Sequence, residues 1–113
     1  MTQPQAAAWQ ATLDQHAPEL LKGVMSVRQS VLTDGALSLK VKTLMTMLCD
    51  ALLAHPEGVA NIANRARALG AGEEEIAETV AVAFLMGGMP ALVTGANAFR
   101  DLDQAEKPRL SAD

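Results

Sequence analysis

Prolines and glycines cut this chain into segments of helical length, and they do so in a consistent order. Pro18, Pro56 and Pro90 stand at the heads of segments, and Gly35, Gly70 and the pair Gly87-Gly88 stand at the ends. The order has a physical basis. The first turn of a helix does not use the N–H that proline lacks, while glycine takes the left-handed conformation on which helices stop. Between these breaks the apolar residues recur with a helical period, and no run alternates apolar and polar residues with β-branched enrichment. The spacing predicts an all-α domain of about six helices, with no strands.

The segments can be placed one by one. A first helix is predicted over Gln5 to Gln15, and a second from Pro18 to Thr33 with Leu20, Leu21, Val24, Val27 and Val31 on one side. Ser38 is the expected cap of a third, running from Leu39 to Ala54. Its only charges are Lys40, Lys42 and Asp50, so it is apolar on most sides. Such a helix is central in its domain or lies at a subunit contact. The fourth runs from Pro56 to Gly70, with Val59, Ile62, Ala63, Ala66 and Leu69 as its stripe. Glu73, Glu74 and Glu75 begin a fifth, where acids complement the positive end of the helix dipole. Gly87-Gly88 should end it, and Pro90 should open a sixth through Leu102.

Composition narrows the class. The 113 residues are expected to form a single domain, with 50% hydrophobic residues and only three aromatics, Trp9, Phe84 and Phe99. Abundant Ala, Leu, Val and Met suit closely packed helices. The net charge of −4 and nine Lys+Arg give no basic face for nucleic acid. No uninterrupted apolar run reaches membrane-spanning length, and the N-terminus lacks the order of a secretory signal. With a single cysteine, Cys49, the expectation is a soluble cytoplasmic protein with no partner in nucleic acid or membrane.

Three stretches together resemble a known family. They are Lys40-Val41-Lys42-Thr43-Leu44, then Gly70-Ala71-Gly72-Glu73-Glu74-Glu75-Ile76-Ala77-Glu78, then Met86-Gly87-Gly88-Met89-Pro90-Ala91. In this order the chain resembles the carboxymuconolactone decarboxylase-like family, which includes the alkylhydroperoxidase D-like proteins, over about residues 20 to 103. The resemblance implies a helical bundle that assembles as a homotrimer or homohexamer. It also implies a small-molecule pocket near the start of the fourth helix. Redox members of that family carry a Cys-x-x-Cys pair there, with a histidine one turn beyond and a glutamate on the preceding helix. The matching positions here are His55, Gly58, Ile62 and Thr43. All four are substituted, and the histidine that the decarboxylase branch keeps at position 62 is also missing. The expected protein is therefore a family member without the thiol chemistry. An alkylhydroperoxidase-type antioxidant role is disfavoured.

The remaining candidates each have two readings. His55 is either the acid/base or ligand-binding group of the pocket, or a histidine that caps and packs the helix start. Glu57 either stabilises that helix end or orients His55. Asp50 either pairs with Arg65 or Arg67 or faces the pocket. Cys49, among Met45, Met47, Leu48, Leu52 and Leu53, is expected to be buried and inert, with single-cysteine redox chemistry as its alternative. His16 and His55 are the only histidines and neither has a second ligand of the HExxH type, so no metal or other cofactor is expected. The two function classes left are non-redox acid/base chemistry on a small organic acid or lactone, and a non-catalytic binding or structural oligomer.

Overall fold

The computed structural model describes residues 4–103, and side chains from residue 8 onward. Every regular element among the described residues is helical. The chain divides into two compact units, Met1–Thr33 and Asp34–Asp113.

The first unit is a helical hairpin of α1 (Pro4–His16) and α2 (Pro18–Val31). Ala17 joins them, donating to the Leu13 carbonyl at 2.7 Å while its own carbonyl accepts Leu21 N–H at 3.0 Å. Pro18 takes the helix start. The stripe on α2 is real, yet no residue of that helix is buried. The helix ends at Val31, short of the predicted Thr33.

The second unit contains α3 (Leu39–Leu52), α4 (Pro56–Ala68), α5 (Glu73–Gly95) and a 3₁₀ turn at Ala96–Phe99. Ser38 caps α3 as predicted, accepting Val41 N–H at 3.1 Å, and Asp34 accepts Leu39 N–H at 2.7 Å. Thr43, Met47 and Ala51 recur every fourth residue along the buried side of α3. Val59, Ala60, Ala63 and Ala66 line the buried side of α4, and Ile76, Val80 and Ala83 that of α5, at three- and four-residue steps. Met47, Ile76 and Val59 are the largest fully buried side chains, and alanines make up most of the rest. Small residues let helix axes approach closely, which is how a chain poor in aromatics still fills a core.

The last predicted break takes a different form. The helical hydrogen bonding runs from Glu73 to Gly95, but Gly88 stands at φ 75°, ψ −160° inside it. No L side chain adopts that conformation without strain. The predicted fifth and sixth helices are thus two arms joined at a glycine kink, with Pro90, which has no N–H to donate, at the start of the second. The second arm tightens into the 3₁₀ turn before a helical stretch at 100–103.

Candidate functional site

The junction of α3 and α4 is short and tightly bonded. Ala54 N–H donates to the Ala51 carbonyl at 3.4 Å, and His55 N–H reaches the Asp50 carbonyl at 2.9 Å. This is the Schellman pattern, and Ala54 takes the left-handed conformation it requires, at φ 63°. The turn brings residue 55 back beside residue 50. His55 then begins α4, its carbonyl accepting Val59 N–H at 3.0 Å.

The imidazole does not cap the helix. Its Nδ1 lies 3.0 Å from Asp50 Oδ1. The His55 side chain is 57% exposed and the Asp50 side chain 22%. A carboxylate accepting at Nδ1 places the ring proton there and leaves Nε2 as the acceptor, in a fixed ring orientation. Asp50 therefore pairs with His55, and the expected partnership with Arg65 or Arg67 is corrected. Arg67 is committed elsewhere. It holds Glu73 through two bonds of 2.7 and 2.9 Å, and also donates to Asn64 Oδ1 and the Ala98 carbonyl. Those bonds keep the Glu73 carboxyl below its ordinary range and the Arg67 guanidinium above its own.

Glu57 stands in the first turn of α4, as its helix-end reading expects, and does not orient His55. Both of its oxygens take Arg100, at 2.8 and 3.1 Å. Those Arg100 N–H groups hold its carboxyl below the usual value. The pair ties the start of α4 to the helical stretch at 100–103, and the carboxylate in contact with His55 is that of Asp50. The helical spacing marks Asp50 as one of three charges in an apolar helix but does not join it to His55. The available signal was its place five residues before a histidine across a helix stop.

Cys49 is exposed, against the expectation of burial. Met47 and Ala51 are the inward residues of that turn, and at about 100° per residue position 49 points away from them. Of the remaining family-equivalent positions, Thr43 is buried in α3 and Ile62 packs half-buried against the core. Gly58 is the third residue of α4 and lies against the Asp50 carboxylate. The junction thus brings positions 50, 55 and 58 together, while 43 and 62 serve the core. Among the described residues no group of three or more His, Cys, Asp or Glu is arranged to hold a metal ion. An open groove of about 330 Å³ runs between α3 and α5, lined by residues including Val41, Leu44, Met45, Leu48, Glu78 and Val82, but not by His55.

The model of the carboxymuconolactone decarboxylase family matches residues 18–101. The chain belongs to this family. Solved structures of the family are similar in fold and in sequence. The apo form of a carboxymuconolactone decarboxylase family protein from Legionella pneumophila is 30% identical, with TM-score 0.81, over 89% of this chain and 90% of that one. A protein from Burkholderia xenovorans LB400 assigned as a carboxymuconolactone decarboxylase is 28% identical, with TM-score 0.77, over 92% of this chain and 82% of that one. No curated protein matches the chain. The expected family and all-α fold are both confirmed.

Proposed function

We propose that this family member carries out thiol-independent acid/base chemistry on a small organic acid or lactone, with His55 transferring the proton and Asp50 orienting it. The observation that carries the reading is the 3.0 Å contact between His55 Nδ1 and Asp50 Oδ1. A histidine held in one tautomer by a carboxylate, with its other nitrogen facing outward, is the usual form of a positioned general base. The sequence adds a second support. With Cys49 the single cysteine and His55 and Gly58 at the family's thiol positions, a subunit has no thiol pair to exchange. The substrate class is proposed from the family's name and from the imidazole–carboxylate pair, and no bound cofactor is invoked. The functional form is a cytoplasmic homotrimer or homohexamer. The exposed apolar residues Leu85, Met86, Met89 and Val93 support assembly, which would enclose a ring that is more than half exposed in one subunit.

The alternative is a scaffold that binds or assembles without turnover, and the exposure of His55 favours it. A thermal-shift screen of small carboxylic acids and lactones separates the two, because a ligand that binds only the folded state raises its melting temperature. The expected result is a shift in wild type that His55→Ala abolishes, with turnover of the same compound lowered about 10²–10⁴-fold in His55→Ala. A shift that survives in His55→Ala, or a bound compound that is never converted, would establish the scaffold reading.

A further inference from the structure

Gly58 has space beside it that another residue occupies. A Cβ built on Gly58 would lie 2.8 Å from Asp50 Cγ and overlap Oδ2 outright. The same carboxylate presents Oδ1 to His55 Nδ1. One oxygen therefore contacts the imidazole while the other rests over the first turn of α4, on the bare Cα of residue 58. Gly58 is not there for its backbone, since its φ is outside the left-handed region in which Gly70 and Gly88 stand. Helix propensity argues against it as well, because glycine inside a helix is less stable than alanine. What the position requires is the absence of a side chain.

We propose that Gly58 is a positioning residue for His55: it seats the Asp50 carboxylate, and through it sets the tautomer and orientation of the imidazole. The inference rests on the His55–Asp50 reading above, and it concerns a residue that acts through the Asp50 carboxylate. Its mechanism is steric. The displaced atoms in a Gly58→Ala variant are the far end of the Asp50 side chain, not backbone. Asp50 can rotate away while the helix stays formed, and the alanine improves the helix as it does so. The fold survives and the pairing with His55 does not.

The test reads the ring directly. Long-range ¹H–¹⁵N correlation spectra of neutral histidine distinguish a proton on Nδ1 from one on Nε2, and His16, far along the chain in α1, serves as internal control. Wild type is expected to show the Nδ1–H form at His55. Gly58→Ala is expected to lose that preference to the extent that Asp50→Ala does, with His16 unmoved and the melting temperature nearly unchanged. In the Asp50→Ala background, Gly58→Ala should add nothing, as holds for two residues acting through one contact. If Gly58→Ala fails to fold, recovery of folding in Asp50→Ala/Gly58→Ala supports the steric account, and failure of that double variant overturns it. A wild-type ring pattern that persists in Gly58→Ala also overturns it. Absence of the Nδ1–H form in wild type would remove the His55–Asp50 reading itself. Absence of any substrate, with the ring pattern as expected, would remove only the acid/base function.

Discussion

At the scale of single residues, Ala54 and Gly70 form an internal comparison. Both follow a helix, and both close the same pattern of hydrogen bonds. Ala54 and His55 bond back to Ala51 and Asp50, and Gly70 and Ala71 bond back to Arg67 and Ala66. Both stand at positive φ, 63° for the alanine and 98° for the glycine. Only one is the residue type that enters this region without penalty. Ala54→Gly is therefore expected to stabilise the protein by about 1 kcal/mol, and Gly70→Ala to destabilise it by about 1 kcal/mol or more. Chemical denaturation of both variants checks the pair, and opposite signs are the decisive result. The strain at Ala54 lies one residue before His55, in the turn that carries the imidazole to Asp50. If Ala54→Gly gains no stability, the left-handed turn is held by contacts that favour the methyl group. Both helices end two residues before their predicted bounds, at Leu52 and Ala68. Glycine marks the left-handed residue after α4 in the sequence, whereas alanine gives no such mark after α3.

The first turn of α5 shows how an element is held at its end. Glu75 reaches back to the Gly72 N–H at 2.9 Å and takes Lys40 at 3.0 Å, while Glu73 takes Arg67 from α4. The backbone N–H of Gly72, followed by Lys40, lowers the Glu75 carboxyl, and Arg67 lowers Glu73. Both carboxyls thus titrate lower in the folded chain than in the unfolded one. Their contribution to stability is full above the ordinary value of 4.5 and is lost as the pH falls through the folded values. Thermal melts of wild type, Glu73→Gln and Glu75→Gln from pH 7 down to pH 3 are expected to show the variants less stable at neutral pH. The gap should narrow on acidification. A gap of constant size would mean that these acids act through packing and not through charge. Three acids in a row predicted the helix start from sequence. Which of them finds Arg67 depends on α4 packing beside α5, and no spacing rule contains that.

For the whole molecule, the decisive feature is how much apolar surface α5 leaves outside. Ile76, Val80 and Ala83 face the core, while Leu85 is 77% exposed and Met86, Met89 and Val93 are also exposed. Exposed apolar side chains in this number support the assembly proposed above. The helical stretch Glu73–Asp103 contains an 18-residue window apolar enough to cross a membrane by length and composition, and 22% of that window is buried. Light scattering of the purified chain is expected to give a trimer or hexamer, and Leu85→Glu combined with Met89→Glu should dissociate it. A wild-type monomer that partitions into lipid vesicles would assign the face to a membrane instead, and a wild-type monomer that stays in buffer would leave assembly unsupported.

The sequence by itself determined the helical class, the helix starts and the inward stripe of α4. All of these are local, set by proline, glycine, capping and a period of 3.6 residues. It also carried the family, because the glycine, acid and proline blocks sit at family spacing. Tertiary structure decided the partners. Glu57 precedes Gly58 in the chain, yet it belongs to Arg100 and the far end of the unit. Asp50 sits on another helix, yet it belongs to His55. Cys49 lies in an apolar run, yet it points outward. The physical reason is the same in each case. Periodicity tells which side of a helix a residue is on, but a short-range polar contact depends on where a second helix is placed. That placement follows from packing Met47, Val59 and Ile76 into one core.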